Sequence, residues 1–523
     1  MLVRKDKRAL IFKLKKPERI TTVIPTAKLL NHQGTTLVAV PHRPDETKVL
    51  RNLGFEVPDP IRTLYDWPGK NPFEAQRETA SFLTMNHRAF CLNSMGLGKT
   101  ISALWAYDFL KQSRQAKRVL VVCPLSTMER TWADEIFRGF PDITYSVLYG
   151  SAERRRKLLA QEVDIYIINT DGIKTIVNDL ATRPDIDLVI VDELALYRNA
   201  STDRWKILNA IVNKQTPRKV WGLTGAPTPN APTDAWAQCR LLVPTNPHLP
   251  KYFNRFRDSV MRQLTQFKWV NKENALEIVK VCMQPSIRYA LDDVVDLPPQ
   301  TFITRDIELS PEQDKAYRDM LLTLKMEYAS GQVTAVNEAV KMSKLLQIVC
   351  GVVYGKDGQE IVLPNNPRVS VVKELIDESE GKVIVFCPLT GALNVLAENL
   401  RADGYEVETV NGETSKGSRD DIFGRFQNAA DPVRVIVANP GTMSHGLTLT
   451  AATTIIWFAP IHSNDIYEQA CARVRRPGQT RTTVIAHIAG SDIERKVYAR
   501  LQKKQKLQGS FLDMIKEQEI ENT

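Results

Sequence analysis

Between about residues 72 and 230, short β-rich apolar runs (AFCL, RVLVVC, YSVLY, DIYIIN, DLVIVD and VWGLTG) alternate with amphipathic stretches long enough to form helices. Runs that are apolar at consecutive positions need cover on both faces, which parallel strands packed under helices provide. The same alternation restarts near residue 367 with KVIVFC, YEVETV, VRVIVAN, TTIIWF and TTVIAHI. The pattern predicts an α/β chain with two parallel-sheet lobes. Residues 231–366 lose the strand rhythm and become helical and charged, with proline-rich breaks at PTNPHLP, DLPPQ and LPNNP, and they read as helical insertions plus an inter-lobe linker. Residues 1–70 stand apart. Eight basic residues fall among the first nineteen, followed by the β-like runs TTVIP and TTLVAVP, which points to a small basic accessory domain. The expected domains are therefore 1–70, 71–230, 231–366 and 367–523, the last closing on one long helix with a basic side, SDIERKVYARLQKKQKLQGSFLDMI.

At 523 residues the chain exceeds one ordinary core, and its 43% hydrophobic and 25% charged residues are those of a folded globular protein. An excess of 70 Lys and Arg over 60 Asp and Glu favours a polyanionic partner such as nucleic acid. The seven cysteines are scattered with no C-x-x-C pair, which argues against a zinc ribbon and a disulfide framework and fits a reducing compartment. No apolar run approaches the roughly 18–20 residues of a membrane span. MLVRKDKRAL is not followed by the apolar stretch of a signal peptide. A soluble cytoplasmic monomer with no membrane partner is expected, nuclear only in a eukaryote.

The string MGLGKT, Met95 to Thr100, sits between an apolar run and the helical pattern ISALWAYDFL, the strand–loop–helix context of a phosphate-binding loop. Backbone N–H groups of Met95, Gly96, Leu97 and Gly98 at a helix start can cradle phosphate oxygens. Lys99 then reaches the β and γ phosphates of a nucleoside triphosphate, and the Thr100 hydroxyl holds Mg²⁺. Asn93 occupies the place of the usual first glycine. In VIVDELA, four apolar residues bring a strand to its C-terminal end and leave Asp192 and Glu193 at the mouth, where ligands of open α/β sheets bind. Asp192 is positioned to hold Mg²⁺ through its water shell, and Glu193 to orient or deprotonate the attacking water. In YEQACARVRRPGQT, Arg473 and Arg476 lie three apart, on one face of a helix if the pattern from Asn464 continues. Such cations can stabilise transferring phosphate, an effect on the order of 10³ to 10⁵ in rate. Taken singly, the three strings also read as a glycine-rich turn, an acidic strand cap and a basic helix end. Together they point to a nucleotide hydrolase.

The set resembles the superfamily 2 helicases, and within them the Swi/Snf-type DNA translocases, over about residues 70 to 515. NPFEAQRETASFL looks like the Q motif, which implies that Gln76 reads adenine. NSMGLGKT resembles motif I, in a family that commonly has an acidic residue where Asn93 stands. VVCPLSTMERTW is similar to motif Ia, whose backbone contacts fall here around Pro124 and Ser126, and Trp132 on the following helix reads as core. IINTDG, with Asn169, looks like the next backbone-contacting motif, and DELA stands where the family has DEAH. WGLTGAPTPN, with Thr224 and Gly225, resembles the coupling motif III. IRYALDDVVDLPPQ and LSPEQDKAY look like the segment between the lobes that separates Swi/Snf proteins from other helicases. VIVFCPLTGAL resembles motif IV, and MSHGLTLTAA the motif V loop, which brings Ser444 to DNA and Gly446 to ATP. QACARVRRPGQ is very close to the family's Q-A-x-x-R-x-x-R-x-G-Q.

The resemblance implies two RecA-like lobes that hydrolyse ATP with Mg²⁺ in the cleft between them. Opening and closing would move the chain along duplex DNA, or remodel junctions and forks, through sequence-independent phosphate contacts. Leu194 and Ala195 depart from the family's box and bear on its coupling. A compact phage or bacterial member is the expected type. An RNA helicase and a nucleotide-gated DNA clamp with little turnover are the competing readings.

Overall fold

The computed structural model describes residues 1–213, 218–265, 269–329, 335–355, 359–443 and 448–503. The chain divides into two units, Met1–Val294 and Val295–Thr523.

The first unit begins with strands β1 (Leu2–Arg4), β2 (Ala9–Lys13), β3 (Lys28–His32) and β4 (Thr35–Pro41), antiparallel in the order β1-β2-β4-β3. Alternate residues Leu10, Phe12, Val38 and Val40 face inward onto Ile20, Ile24, Leu50 and Val57, a small core of their own. The run TTVIP is not a strand. Ile20 and Ile24 are both buried at helical spacing, joined by an Ile24 N–H to Ile20 carbonyl bond of 2.8 Å, and Pro25 stops any continuation.

A second sheet follows, built from β5 (Arg88–Cys91), β6 (Arg118–Cys123), β7 (Tyr145–Leu148), β8 (Ile165–Asn169), β9 (Ile186–Asp192) and β10 (Lys219–Leu223). After a hairpin of β11 (Met261–Gln263) and β12 (Trp269–Asn271), β13 (Ser286–Ile287) returns to its edge. The order is β13-β5-β10-β9-β6-β8-β7, parallel throughout. Leu120, Val122, Tyr166, Ile168, Val189 and Val191 pack on one face, and Val119, Val121, Ile165, Ile167, Leu188 and Ile190 on the other. Cover on both faces is why these runs are apolar without alternation.

The second unit contains β14 (Gln300–Asp306), the hairpin β15 (Val352–Tyr354) and β16 (Glu360–Val362), then β17 (Lys382–Phe386), β18 (Val407–Val410), β19 (Val435–Ala438), β20 (Ala452–Trp457) and β21 (Thr483–Ala489). Its sheet runs β14-β21-β20-β17-β19-β18, again all parallel. Ile384, Phe386, Ile436 and Ala438 line one face, and Val383, Val385, Val435 and Val437 the other. Behind the sheet, Arg368 and Glu494 form a fully buried ion pair at 2.9 Å, which joins the helix Asn366–Glu378 to the helix Asp492–Gln502.

Residues 231–366 carry helices such as Pro311–Ala329 and Ala335–Cys350, but they also supply β13 and β14, one edge strand of each parallel sheet. Neither has a continuous apolar run: β13 has only two residues, and no residue of β14 is fully buried. Both therefore lack the signal of the central strands, a signal that the opposite edge strands β7 and β18 carry in YSVLY and YEVETV. The C-terminal helix spans Asp492–Gln502, and residues 504–515 of the expected longer helix lie outside the described residues. Among the described residues, no helix is long and apolar enough to cross a membrane.

Candidate active site

The loop after β5 turns through two glycines in the left-handed region, Gly96 at φ 90° and Gly98 at φ 69°, before the helix Lys99–Gln112 begins. A Cβ at Gly98 would collide with the amide of Gln76, so the position requires glycine on two counts. Lys99 Nζ donates back to the carbonyls of Asn93 at 2.9 Å and Ser94 at 3.3 Å, while Thr100 lies in the first helical turn, half-buried. Gln76 is buried beside the loop. Its Oε1 accepts from Phe73 N–H at 3.0 Å and its Nε2 donates to the Leu97 carbonyl at 3.2 Å.

Asn93 is 1% exposed and holds three elements together. Its Nδ2 donates to Thr79 Oγ1 at 2.8 Å on the helix Glu74–Met85, and its Oδ1 accepts the Tyr289 N–H at 3.0 Å. The Tyr289 carbonyl accepts from Ser94 N–H at 2.9 Å, and the Tyr289 hydroxyl binds Glu78. The residue that replaces the motif's first glycine thus anchors the start of the loop.

Asp192 ends β9. Leu223 of β10 is paired in register with Asp192 on one side and with Cys91 of β5 on the other. The strand that leads into the phosphate loop and the strand that delivers Asp192 are therefore two strand spacings apart, about 10 Å. Lys99 lies close enough for its charge to act on the Asp192 carboxyl. Both oxygens of that carboxyl are held: Oδ2 accepts from Trp132 Nε1 at 2.9 Å and Oδ1 from Glu193 N–H at 3.1 Å. Burial raises the Asp192 pKa above the ordinary carboxylate value, opposed first by the Trp132 hydrogen bond and then by Lys99. Trp132 is fully buried, as its core reading expects, and sits on a π-helical turn, Met128–Ala133, rather than a regular helix. That its indole N–H grips a carboxylate 60 residues away has no local signal in the sequence.

Glu193 adopts φ 51°, a left-handed backbone that a non-glycine residue takes only under constraint, and such positions concentrate at functional sites. Leu194 is fully buried and fills the notch left by Gly222 on β10, where a Cβ would come within 2.6 Å of it. The departure from the family's box is thus a packing residue. Thr224 N–H donates to the Cys91 carbonyl at 3.0 Å, and a Cβ on Gly225 would meet Met95 at 3.2 Å, so this segment lies directly against the phosphate loop.

Pro124 is buried and Ser126 exposed in the turn after β6. Asn169, at the end of β8, is 9% exposed and accepts from Arg155 at 3.2 Å. These three stand at or just beyond the C-terminal ends of their strands, the end of the sheet that also carries Asp192. Ser444 and Gly446 lie outside the described residues.

In the second unit the helix Asn464–Cys471 stops before the arginines. Arg473 and Arg476 fall in the turn that follows, not on a helical face, because the chain is bending toward Pro477–Gly478 and the residue before a proline avoids the helical conformation. Arg473 is 2% exposed. Arg476 donates from Nε to the Ala472 carbonyl at 3.0 Å and from Nη1 to Thr448 Oγ1 at 3.1 Å. Gln479 is a staple: its Nε2 donates to the carbonyls of Thr450, Ala452 and Val474 at 3.0–3.1 Å, and its Oε1 accepts from Thr480 and Arg481.

One hydroxyl at Thr100 and one carboxylate at Asp192 suit Mg²⁺, which keeps several waters and takes few protein ligands beside substrate phosphates. With ATP bound, the ion would supply charge neutralisation at the γ-phosphate.

A family profile described as SNF2-related domain matches residues 76–351, and one described as helicase conserved C-terminal domain matches residues 367–478. The chain is similar to protein p41 of Acyrthosiphon pisum secondary endosymbiont phage 1, 24% identical over 447 residues, covering 81% of this chain and 94% of that one. It is also similar to an uncharacterized ATP-dependent helicase of Mycoplasma pneumoniae, 24% identical over 483 residues, 86% of this chain but 45% of that protein. A solved structure, the Sulfolobus solfataricus SWI2/SNF2 ATPase core in complex with dsDNA, aligns at 22% identity over 84% of this chain and 92% of that chain, with a TM-score of 0.40. The chain thus spans nearly all of the phage relative and less than half of the Mycoplasma one.

Proposed function

Because this chain belongs to the SNF2-related family, we propose that it is a DNA-dependent ATPase of the helicase and translocase type, which uses ATP and Mg²⁺ to move along duplex DNA or remodel its junctions. The observation that supports this best is the register around Leu223, which brings the strand ends of the Lys99 loop and of Asp192 level with each other on either side of β10. In this reading Met95 to Thr100 cradle the triphosphate beside Gln76, and Lys99 neutralises the β and γ phosphates. Thr100 and Asp192 hold Mg²⁺, and Glu193 orients the attacking water. Arg473 and Arg476 supply cationic charge to the transferring phosphate. Pro124, Ser126 and Asn169 take DNA phosphates, with Thr224 and Gly225 coupling them to the nucleotide loop.

ATP hydrolysis measured with duplex DNA, single-stranded DNA and RNA, beside Lys99→Ala and Glu193→Gln, tests the reading. Duplex stimulation abolished by either substitution is expected. Equal stimulation by RNA would favour an RNA helicase, and DNA binding without turnover would favour a clamp. Arg476→Ala should lower hydrolysis by 10³-fold or more while ATP binding stays near normal, an order-of-magnitude expectation for an arginine finger. Turnover that survives this change sinks the assigned role.

A further inference from the structure

At the far end of the helix Lys99–Gln112, its last turn and the antiparallel sheet enclose a groove of about 580 Å³. Lys7, Arg8, Lys28, Arg43 and Arg114 line it, and the single carboxylate there, Asp6, is already paired with Arg4 at 2.7 Å. Among the described residues, the side chains of Lys7, Lys28, Arg43 and Arg114 make no hydrogen bond or ion pair. Arg8 is fixed, donating to the Gln112 carbonyl at 3.2 Å and lying over the Phe109 ring. Five cations facing one groove repel each other, and folding alone gives no reason to gather them.

The backbone carries a second, independent mark. The described non-glycine residues at positive φ are Arg8, Gln33, Trp67, Arg114 and Glu193. Glu193 belongs to the candidate active site. Arg8 at φ 46° and Arg114 at φ 56° both line this groove, where the strained backbone presents a guanidinium from each wall.

We infer that this groove is a second DNA site that holds the phosphate backbone of a duplex, separate from the end of the sheet carrying Pro124, Ser126 and Asn169. The identity of the polyanion rests on the DNA-motor reading above. The helix Lys99–Gln112 is 14 residues long, so the groove lies about 20 Å from the phosphate loop, toward the N-terminal ends of the strands. No Phe, Tyr or Trp lines it, so it offers no platform for stacking bases and reads phosphates alone.

The test uses the full chain without nucleotide. Binding of a labelled duplex is followed over a salt series for the groove triple Lys7→Gln, Lys28→Gln, Arg114→Gln and for a control triple of exposed lysines, Lys157→Gln, Lys251→Gln, Lys315→Gln. Each phosphate contact contributes about 0.9 to the slope of log K against log salt, so the groove triple should flatten the slope by about 2 to 3 and weaken low-salt binding at least roughly tenfold. The control triple should leave the slope unchanged. In ATPase assays the groove triple should raise the duplex concentration for half-stimulation and leave kcat at saturating duplex intact. An unchanged slope, an equal fall in both triples or a lowered saturating kcat overturns the site. A matching loss on single-stranded DNA or RNA overturns the duplex assignment. Poly-glutamate affinity lost while duplex affinity persists would make the groove an acidic-protein surface instead. A wild-type chain with no DNA-stimulated hydrolysis would sink the motor reading and leave the binding comparison intact.

Discussion

The indole N–H of Trp132 donates to Oδ2 of Asp192 at 2.9 Å, and the indole is fully buried. A buried donor to one carboxylate oxygen stabilises the ionised form against the desolvation that opposes it. It also leaves Oδ1 on the side of Glu193 N–H.

Trp132→Phe keeps an aromatic ring in the core and removes that donor. In the proposed role Asp192 must be ionised to hold Mg²⁺, and its pKa is already raised by burial, so losing the donor should raise it further. The acid limb of the pH profile for ATP hydrolysis should move to higher pH, with turnover near neutrality down about tenfold, as for other outer partners of metal ligands. A pH-rate profile superimposable on that of the parent would contradict the positioning role.

Asn93→Gly restores the glycine of the general phosphate-loop motif, yet it should damage this chain. It strips the Tyr289 N–H of its acceptor and Thr79 of a partner in a buried setting, a loss of about 1–3 kcal/mol. Thermal melting should show Asn93→Gly destabilised and Asn93→Asp, which keeps an acceptor for Tyr289, closer to the parent. Equal stability of the glycine variant and the parent would remove the anchoring role.

His487 is buried, with its ring on Tyr498 at 4.2 Å and Nε2 beside the Tyr467 hydroxyl at 2.8 Å, and desolvation lowers its pKa from 6.5 to about 4. The unfolded chain takes up a proton near 6.5 while the folded one does not. Stability is therefore fully present above that value and is lost as pH falls from 6.5 toward 4, by about 3 kcal/mol in all. His487→Gln should flatten the fall of the second unit's melting temperature over that window. An unaltered slope would show that His487 is not the titrating group.

Arg368 and Glu494 are 0% and 2% exposed, and Glu494 Oε2 also accepts from Gly490 N–H at 2.9 Å. Arg368→Met leaves a buried carboxylate unpaired and should cost about 3–5 kcal/mol, whereas Arg368→Met with Glu494→Leu should recover much of that loss. Denaturant titration of the two variants measures the difference. A double variant no better than the single one would mean that the packing, not the charge, is what the pair supplies.

The central strands were legible because burial on both faces forces uninterrupted apolar runs. RVLVVC coincides with β6, and KVIVFC and TTIIWF each lie within one residue of β17 and β20. β13 and β14 escaped notice because the first has only two residues and the second buries none of its seven side chains fully. The helix expected to carry Arg473 and Arg476 ends at Cys471, since spacing alone does not reveal where a turn toward Pro477 begins.

By itself the sequence determined the two parallel sheets, the glycine-bearing loop of Lys99 and the strand-end position of Asp192 and Glu193, because each follows from neighbours within a few residues. Only the tertiary structure decided that Leu223 pairs with both Cys91 and Asp192, that Trp132 grips Asp192, that Asn93 ties Thr79 to Tyr289, and that Arg8 and Arg114 face one groove. These contacts join residues 14 to 196 positions apart wherever their bonds are direct, and strand order and side-chain packing set them rather than any local pattern.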